Sequence, residues 1–192
     1  MSPSPLLLAL GPVLDALDAL PVRWHVGGSV ASSLYGVART TIEVDDVAEL
    51  KRPHVAPLLA ALGREYYASE PAIVSAIQRE SCFNLIHLAT SYKVDVFVAK
   101  HRAFDQSGLA RAHRDTLGER LVFVASPEDV ILNKLEWYRM GNEVSERQWQ
   151  DVLGVLKVQQ DTLDRAYLAS WAAELGISEL LSRALGEAGI ER

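Results

Sequence analysis

The fold is decided by one stretch of the chain, which runs from Val26-Gly27-Gly28-Ser29 to Thr41-Ile42-Glu43-Val44-Asp45-Asp46. A short apolar run, 24–26, breaks at the two glycines, and a segment with helical character follows until Gly36. The backbone N–H groups at the N-terminus of such a helix attract anions, phosphate among them. The first part of the stretch therefore predicts a phosphate-binding turn between a strand and a helix.

The second part of the stretch places two carboxylates on one face of a strand. Side chains alternate along a strand, so Glu43 and Asp45 point the same way and Val44 points the other. Neighbouring carboxylates repel each other, and Mg²⁺ is a hard cation that takes oxygen ligands and keeps waters for a phosphate to replace. The pair therefore predicts a metal site. Asp46 belongs to the opposite face, where we expect a solvent-facing charge at the strand end.

The composition is that of a globular protein with one domain, or one domain with a helical extension. The chain has 192 residues, 49% of them hydrophobic and 23% charged, and a formal net charge of −6. This charge argues against broad, sequence-independent binding of nucleic acid. Cys82 is the single cysteine, which excludes an internal disulfide and fits a reducing cytosol, so a cytoplasmic location is predicted.

No membrane segment is expected. The apolar run at 5–10 is followed by Asp15 and Asp18 at helical spacing, which favours an amphipathic helix over a signal peptide. No other apolar run approaches the length of a membrane span. We therefore predict no membrane partner.

The first two thirds of the chain alternate between helical and strand patterns. Helices are predicted at 5–20, 28–34 and 53–62, and strands at 22–26, 42–50, 82–88, 92–99 and 121–125. Residues 64–80 are ambiguous: 66–67 fits a short strand, and 71–78 fits either a helical turn or a loop. The basic segment from His101 to Arg114 is interpreted as a solvated loop and strand.

The last third of the chain is purely helical. Ser126-Pro127-Glu128-Asp129 is a strong helix start, and further helices are predicted at 144–158, 164–175 and 178–188. We therefore predict two domains, a sheet domain at 1–125 and a helical subdomain packed on it at 126–192. The fold class is α/β (α+β): a mixed, twisted sheet of about four to six strands with helices on one side, then a helical bundle.

Asp95 is a third candidate for the carboxylate site. It lies in Lys93-Val94-Asp95-Val96-Phe97, a run of strong strand character in which Lys93, Asp95 and Phe97 share a face. From the residues alone, Asp95 is either a charge on a half-exposed strand or a third carboxylate of the site. The five histidines have no metal-ligand spacing and are interpreted as structural or surface groups.

The glycine and carboxylate motifs resemble the signature of the nucleotidyltransferase superfamily, which has the polymerase-β-like fold. Gly28-Ser29 and Glu43-Val44-Asp45 fill its places, with a spacer of about a dozen residues between them. The longer pattern resembles the branch that contains AbiEii-type toxins. That pattern consists of Gly36, Arg39 and Thr41 together with Ser126-Pro127-Glu128-Asp129-Val130, Asn133-Lys134-Leu135, Arg139 and Arg147 to Asp151-Val152. The chain departs from the pattern in having Glu43 for Asp, Asp46 for an apolar residue and Ala38 for Pro.

The resemblance implies a role for each matching residue. Glu43, Asp45 and Asp95 are implied as catalytic residues that hold two Mg²⁺ ions when substrate is bound. Gly28, Ser29 and Lys134 are implied to bind a nucleoside triphosphate, and Arg39 and Asp151 to support them, Asp151 by positioning Lys134 or an arginine. Judged without the resemblance, Lys134 is equally well a surface lysine and Asp151 a charge on a solvated helix face.

The function implied is Mg²⁺-dependent transfer of a nucleoside monophosphate to an acceptor hydroxyl. The acceptor is RNA, a protein or a small molecule, and a toxin that acts on tRNA or protein beside a cognate antitoxin is one form of this activity. The alternative is a catalytically degenerate protein that binds a nucleotide or a partner on the same scaffold, which Glu43 and Asp46 suggest. The sequence leaves open the base preference, the acceptor and the oligomeric state.

Overall fold

A computed structural model of the protein describes residues 4–38 and 43–190. The strands in this part of the chain are β1 Trp24–Val26, β2 Glu43–Ala48, β3 Tyr66–Tyr67, β4 Cys82–His87, β5 Lys93–Val98, β6 His113–Leu117 and β7 Arg120–Val124. The α-helices are α1 Pro5–Asp18, α2 Gly28–Tyr35, α3 Val55–Leu62, α4 Glu70–Arg79, α5 Ala103–Arg111, α6 Pro127–Met140, α7 Glu146–Gln159, α8 Arg165–Glu174 and α9 Ser178–Glu187. A single 3-10 turn, Arg52–His54, precedes α3.

The chain forms two compact units, and each is assembled from two separate segments. The sheet unit comprises the described residues within 1–27 and 41–124, and the helical unit those within 28–40 and 125–192. The chain therefore leaves the sheet unit after Gly27, returns to it before β2, and leaves it again after Val124.

The sheet unit contains a seven-stranded mixed sheet with the order β3-β4-β5-β2-β1-β7-β6. β2 lies between β5, to which it is parallel, and β1, to which it is antiparallel. β4 pairs antiparallel with β5, and β7 pairs parallel with β1. The strands that carry the predicted carboxylates are thus direct neighbours at the centre of the sheet.

One face of the central strands is buried. On β2, the side chains of Val44, Asp46 and Ala48 are fully buried, and on β5 Val94, Val96 and Val98 are buried in the same alternation. The residues between them, Asp45 and Asp95 among them, are only half-buried. This period of two is the pattern of strands with one face in the core and the other accessible.

Helix α1 belongs to the core of the sheet unit. Ser4 caps it by accepting a hydrogen bond from the N–H of Leu7, and Pro5 occupies its first turn, where a missing N–H costs nothing. Its buried side chains recur at three- and four-residue steps: Leu10, Val13, Leu14 and Leu17. The hydroxyl of Tyr66 donates a hydrogen bond of 2.6 Å to the carbonyl of Ala9, which ties β3 to this helix.

The helical unit is organised around α6 and α7. The hydroxyl oxygen of Ser126 accepts a hydrogen bond from the N–H of Asp129 and so caps α6. Helix α7 buries a continuous apolar face that includes Trp149, Val152 and Leu156. Helix α2 packs on α7 so closely that a Cβ on Gly36 would lie 2.8 Å from the backbone nitrogen of Val155. Only glycine allows this approach of two backbones.

The predicted fold class is confirmed, with differences in detail. The segment at 71–78, which fitted either a helical turn or a loop, belongs to helix α4. The sheet has seven strands in the described residues, more than the four to six predicted. The interpretation of the segment from His101 to Arg114 as a solvated loop and strand was wrong for Ala103–Arg111, which forms helix α5 and buries Phe104 and Leu109. The sequence predicts no bounds for β6, because this edge strand is polar, largely exposed and without apolar alternation. In the described residues the chain passes between the units after Gly27, before β2 and after Val124, whereas the sequence predicts one division, near Ser126.

None of the helices within residues 4–38 and 43–190 combines the length and apolar character needed to cross a membrane.

Candidate active site

Two carboxylates lie side by side on neighbouring strands at the centre of the sheet. Asp45 on β2 pairs in register with Asp95 on β5, and because these strands are parallel neighbours, both side chains project from the same face. The next pair in the register towards the strand starts is Glu43 and Lys93. The backbone of Glu43 begins β2, whereas its side chain lies outside the described residues. The structure thus brings Asp45 and Asp95 together from positions fifty residues apart.

Both carboxylate oxygens of Asp95 have partners from the chain itself. The side-chain amide of Asn84, the residue paired with Asp95 on β4, donates a hydrogen bond to Oδ1. The ammonium nitrogen of Lys93 lies 3.0 Å from Oδ2. A hydrogen bond and an ion pair of this kind fix the orientation of a carboxylate. Asp95 is therefore held by polar partners on its own strand and on β4, and its role in catalysis stays a prediction.

Gly27 directly follows β1 and lies beside Asp45. Its N–H donates a hydrogen bond of 2.7 Å to the carbonyl of Asp45. A Cβ added to Gly27 would meet only ordinary contacts, 3.7 Å from that carbonyl and 3.9 Å from the ring of His25. The absence of a side chain at Gly27 thus leaves space beside Asp45.

His25 precedes this turn and is neutral at physiological pH. Burial lowers the pKa of its imidazole to about 4, and the only opposing influence is a long contact between Nδ1 and the carbonyl of Val26. Burial penalises the charged form because the ring cannot be hydrated there. The interpretation of His25 as a structural histidine agrees with this environment.

The expectation for Asp46 was wrong. Its side chain is fully buried, and neither carboxylate oxygen has a hydrogen-bond partner among the described residues. Burial raises the pKa of Asp46 well above the usual value for aspartate, and the neighbouring charge of Asp45 raises it further. The sequence could not reveal this, because the burial of one strand face depends on tertiary packing, whereas local alternation only separates the two faces.

The described carboxylates fit a hard divalent cation, although they do not complete a site. Asp45 and Asp95 offer oxygen ligands side by side on one accessible face, the donor type that Mg²⁺ prefers. Within 4–38 and 43–190, no group of three Asp, Glu, His or Cys side chains is arranged to hold a metal. The predicted third ligand, Glu43, has no described side chain, so its role stays a prediction.

The glycine–serine turn belongs to the helical unit. Gly28 has a φ of +50°, in the left-handed region that favours glycine, and it is the first residue of α2. Ser29 follows in the first turn, where its carbonyl accepts a hydrogen bond of 3.1 Å from the hydroxyl of Ser32. Anions prefer the N-terminal end of a helix, and Gly28 and Ser29 lie at that end of α2.

Lys134 and Asp151 form a buried ion pair in the helical unit. The ammonium nitrogen of Lys134 on α6 lies 2.8 Å from Oδ2 of Asp151 on α7, and each side chain is 7% exposed. The same nitrogen donates a hydrogen bond of 3.2 Å to Oε1 of Gln148. The alternatives of a surface lysine and a solvated helix face are therefore wrong. Asp151 holds the ammonium group of Lys134, and the role of both residues towards a nucleotide stays a prediction.

Two residues of the predicted pattern contribute nothing to this description. Arg39 lies outside the described residues. Arg139 donates a hydrogen bond of 2.6 Å to the carbonyl of Gly176, which assigns it a structural role at the end of α8.

The sequence interpretation missed three polar residues around these groups. Lys93 shares a strand face with Asp95 at a spacing of two, and Gln148 shares a helix face with Asp151 at a spacing of three, so both could have been found from periodicity. Asn84 could not, because its contact with Asp95 depends on the register between β4 and β5.

Several solved structures resemble this chain over most of its length. The solution structure of the antibiotic-resistance factor ANT(2'')-Ia matches with a TM-score of 0.56 and 14% identity, covering 93% of this chain and 97% of that one. The complex of ANT(2'')-Ia with adenylyl-2''-tobramycin matches with a TM-score of 0.58 and 14% identity, covering 90% and 97%. An antigenic nucleotidyltransferase-like protein from Paracoccidioides brasiliensis matches with a TM-score of 0.52 and 18% identity, covering 96% and 94%.

The chain has the nucleotidyltransferase fold. At these identities the likeness establishes the fold and not the reaction or the substrate. No family model matches the sequence, and no curated protein matches it. The predicted fold is therefore confirmed, and the AbiEii-type branch does not follow from it.

Proposed function

We propose that the protein is a nucleotidyltransferase that moves a nucleoside monophosphate from a nucleoside triphosphate to an acceptor hydroxyl. The observation that carries the proposal is the register pair of Asp45 and Asp95 on parallel neighbouring strands of a nucleotidyltransferase fold. In the reaction, the acceptor oxygen forms a bond to the α-phosphorus, the bond from that phosphorus to the leaving pyrophosphate breaks, and the hydroxyl proton passes to a base.

The sheet unit supplies the base and the metal ligands in this proposal. Asp95 accepts the hydroxyl proton, and Glu43, Asp45 and Asp95 are the residues that would hold Mg²⁺. The cation, as two ions when substrate is present, would neutralise charge on the triphosphate and on the leaving pyrophosphate. Asp45 and Asp95 supply the fixed negative charge that selects a divalent cation, so their loss is expected to be severe.

Gly28, Ser29 and Lys134 are the proposed triphosphate-binding residues. Gly28 and Ser29 offer backbone N–H groups at the start of α2, and Lys134 offers a point charge. Lys134 is already held by Asp151 and Gln148, which limits the entropy lost when it binds a phosphate. Arg39, from the same sequence pattern, is proposed as a supporting residue.

The acceptor is proposed only as a class: RNA, a protein or a small molecule. The complex of ANT(2'')-Ia with adenylyl-2''-tobramycin makes an aminoglycoside one acceptor to assay. The resemblance to the AbiEii-type branch makes tRNA a second, and it implies a bacterial toxin with a cognate antitoxin as partner. Co-expression with the neighbouring open reading frame, followed by co-purification, is the direct test of an antitoxin.

A second candidate function is a catalytically degenerate protein that binds a nucleotide or a partner without turnover. Two observations favour it: Glu43 stands where the pattern has aspartate, and Lys93 already neutralises Asp95. Such a protein would bind triphosphate equally well with and without Mg²⁺, and Glu43→Ala would leave the binding unchanged.

Thermal unfolding with each ribonucleoside triphosphate, with and without Mg²⁺, separates the two candidates. A ligand at one hundred times its Kd adds about 2.7 kcal/mol to the free energy of unfolding, which raises the Tm of a chain of this size by several degrees. A shift that requires Mg²⁺ supports the transferase and identifies the donor, whereas a shift that is independent of Mg²⁺ supports the degenerate binder.

Transfer is then assayed with the identified donor, labelled in its α-phosphate, and the candidate acceptors. Asp45→Asn should abolish labelling of the acceptor. Asp115→Asn is the matched control, because Asp115 lies on the edge strand β6 of the same sheet. Full activity in Asp45→Asn would overturn the proposal.

A further inference from the structure

The ammonium group of Lys93 occupies the position beside Asp95 that a cation would take. Lys93 and Asp95 lie two residues apart on β5 and project from the same face. Their charged atoms are 3.0 Å apart, and Lys93 is paired in register with Glu43 on β2. The lysine therefore lies within the row of acidic residues that the proposed function assigns to Mg²⁺.

Each carboxylate oxygen of Asp95 has a partner in this arrangement. Oδ2 contacts Lys93, and Oδ1 accepts the hydrogen bond from Asn84. A cation that binds Asp95 through Oδ2 must displace the ammonium group, because two positive charges cannot share one oxygen at these distances without strong repulsion. The hydrogen bond from Asn84 does not repel a cation, since an amide is neutral.

Lys93 is able to leave. Its side chain is 35% exposed, whereas that of Asp95 is 13% exposed, so the ammonium can move into solvent while the carboxylate stays in place. Lysine is flexible and carries a compact, strongly hydrated charge. An arginine in this position would bind the carboxylate through two parallel hydrogen bonds and would leave less readily.

We propose that Lys93 is a resident counter-ion of Asp95 that competes with divalent cations for the carboxylate row. The free protein then binds Mg²⁺ or Mn²⁺ weakly, and it does not hold the cation until a second ligand offsets the loss of the ion pair. This inference rests on the proposed function in taking a divalent cation as the natural ligand of Asp45 and Asp95.

The test is a titration of the full-length protein with Mn²⁺ in the absence of nucleotide, with free Mn²⁺ measured by electron paramagnetic resonance. Lys93→Gln removes the competing charge and should tighten Mn²⁺ binding at least tenfold. Lys93→Arg keeps the charge and should bind Mn²⁺ no more tightly than the unaltered protein. Lys100→Gln makes the same change in net charge beyond the opposite end of β5 and should shift the Kd less than twofold.

Two further measurements guard against other causes of tighter binding. The double variant Lys93→Gln/Asp95→Asn should bind Mn²⁺ less tightly than Lys93→Gln, because it has no carboxylate at position 95 to hold the cation. The Tm in EDTA establishes that each variant is folded, and Lys93→Met serves in place of Lys93→Gln if the glutamine variant unfolds.

The inference is overturned if Lys93→Gln binds Mn²⁺ no more tightly than the unaltered protein, or if Lys100→Gln tightens binding equally. Its failure is distinct from that of the proposed function. If the unaltered protein has transfer activity and Lys93→Gln binds Mn²⁺ with unchanged affinity, the inference is wrong and the proposed function stands. Tighter Mn²⁺ binding in Lys93→Gln without any transfer activity removes only the transferase proposal.

Discussion

The ammonium nitrogen of Lys134 lies 2.8 Å from Oδ2 of Asp151, and both side chains are almost completely buried. The pair joins α6 to α7 within the helical unit, and the amide oxygen of Gln148 is the other described partner of the ammonium. Charges this deeply buried are tolerated only because they are paired. The pair therefore serves stability as well as the proposed binding of triphosphate.

Asp151→Ala should lower the free energy of unfolding by about 3–5 kcal/mol, because it leaves a buried ammonium with one neutral partner. Urea denaturation at pH 7, without nucleotide, measures this. The control is Glu143→Ala, which removes the exposed partner of Arg183 and should cost about 1 kcal/mol or less. Equal losses in the two variants would contradict the assigned burial of Lys134 and Asp151.

Replacing Asp46 should stabilise the protein. Neither oxygen of this buried carboxyl has a hydrogen-bond partner in the described residues, and an unsatisfied buried polar group costs about 1–3 kcal/mol. Asp46→Val removes the group with little change in volume. Its free energy of unfolding, measured by urea denaturation, should exceed that of the unaltered protein by a similar amount.

The advantage of Asp46→Val should also grow with pH. The pKa of Asp46 is raised in the folded state, so the folded protein keeps a proton that the unfolded chain releases above its ordinary aspartate pKa near 3.8. Stability is therefore lost as pH rises from that value towards the folded pKa. The free energies of unfolding of Asp46→Val and the unaltered protein, compared at pH 5 and at pH 8, should differ more at pH 8.

Gly36→Ala should destabilise the helical unit. A Cβ at this position would lie 2.8 Å from the nitrogen of Val155 and 2.9 Å from the carbonyl carbon of Gly154, and backbone atoms cannot move aside cheaply. Overpacking of this kind costs about 1–3 kcal/mol. Gly186→Ala is the control, since nothing lies within 4 Å of a Cβ there and alanine favours a helix by up to about 1 kcal/mol. The two Tm values should move in opposite directions.

Cys82 should react slowly with thiol reagents in the folded protein. Burial, and to a smaller extent the charges of Asp95 and Asp45, raise the pKa of its thiol to about 12. At pH 8 the thiolate fraction is then about a thousandfold below that of an ordinary cysteine. The rate with Ellman's reagent should differ by this order between native protein and protein in urea. A native rate close to the unfolded one would contradict the environment described for β4.

The sequence predicted those parts of the fold that local patterns determine. The hairpin of β4 and β5 follows from strict alternation on both sides of a three-residue turn, and α6 begins where Ser126 and Pro127 indicated. The placement of β2 beside β5 is a long-range pairing that no local pattern encodes. The proximity of Asp45 and Asp95 therefore came from the resemblance, and the register supplies its geometry.

The polar environment of the candidate site was less predictable. The burial of Asp46 depends on the elements that cover its face of the sheet, and the contact between Asn84 and Asp95 depends on a register between strands. Lys134 looked like an ordinary charged residue of an amphipathic helix until α7 placed Asp151 opposite it. The roles of Glu43, Asp45 and Asp95 in metal binding and catalysis stay predictions.

The passage of the chain between its two units has a practical consequence for dissecting the protein. Because α2 belongs to the helical unit, a fragment that starts at Ser126 lacks the helix that packs on Gly154 and Val155. Such a fragment would expose part of the apolar face of α7 and tend to aggregate. A circular permutant or a co-expressed pair of fragments, with 28–40 supplied to the helical unit, is the appropriate route to studying either unit in isolation.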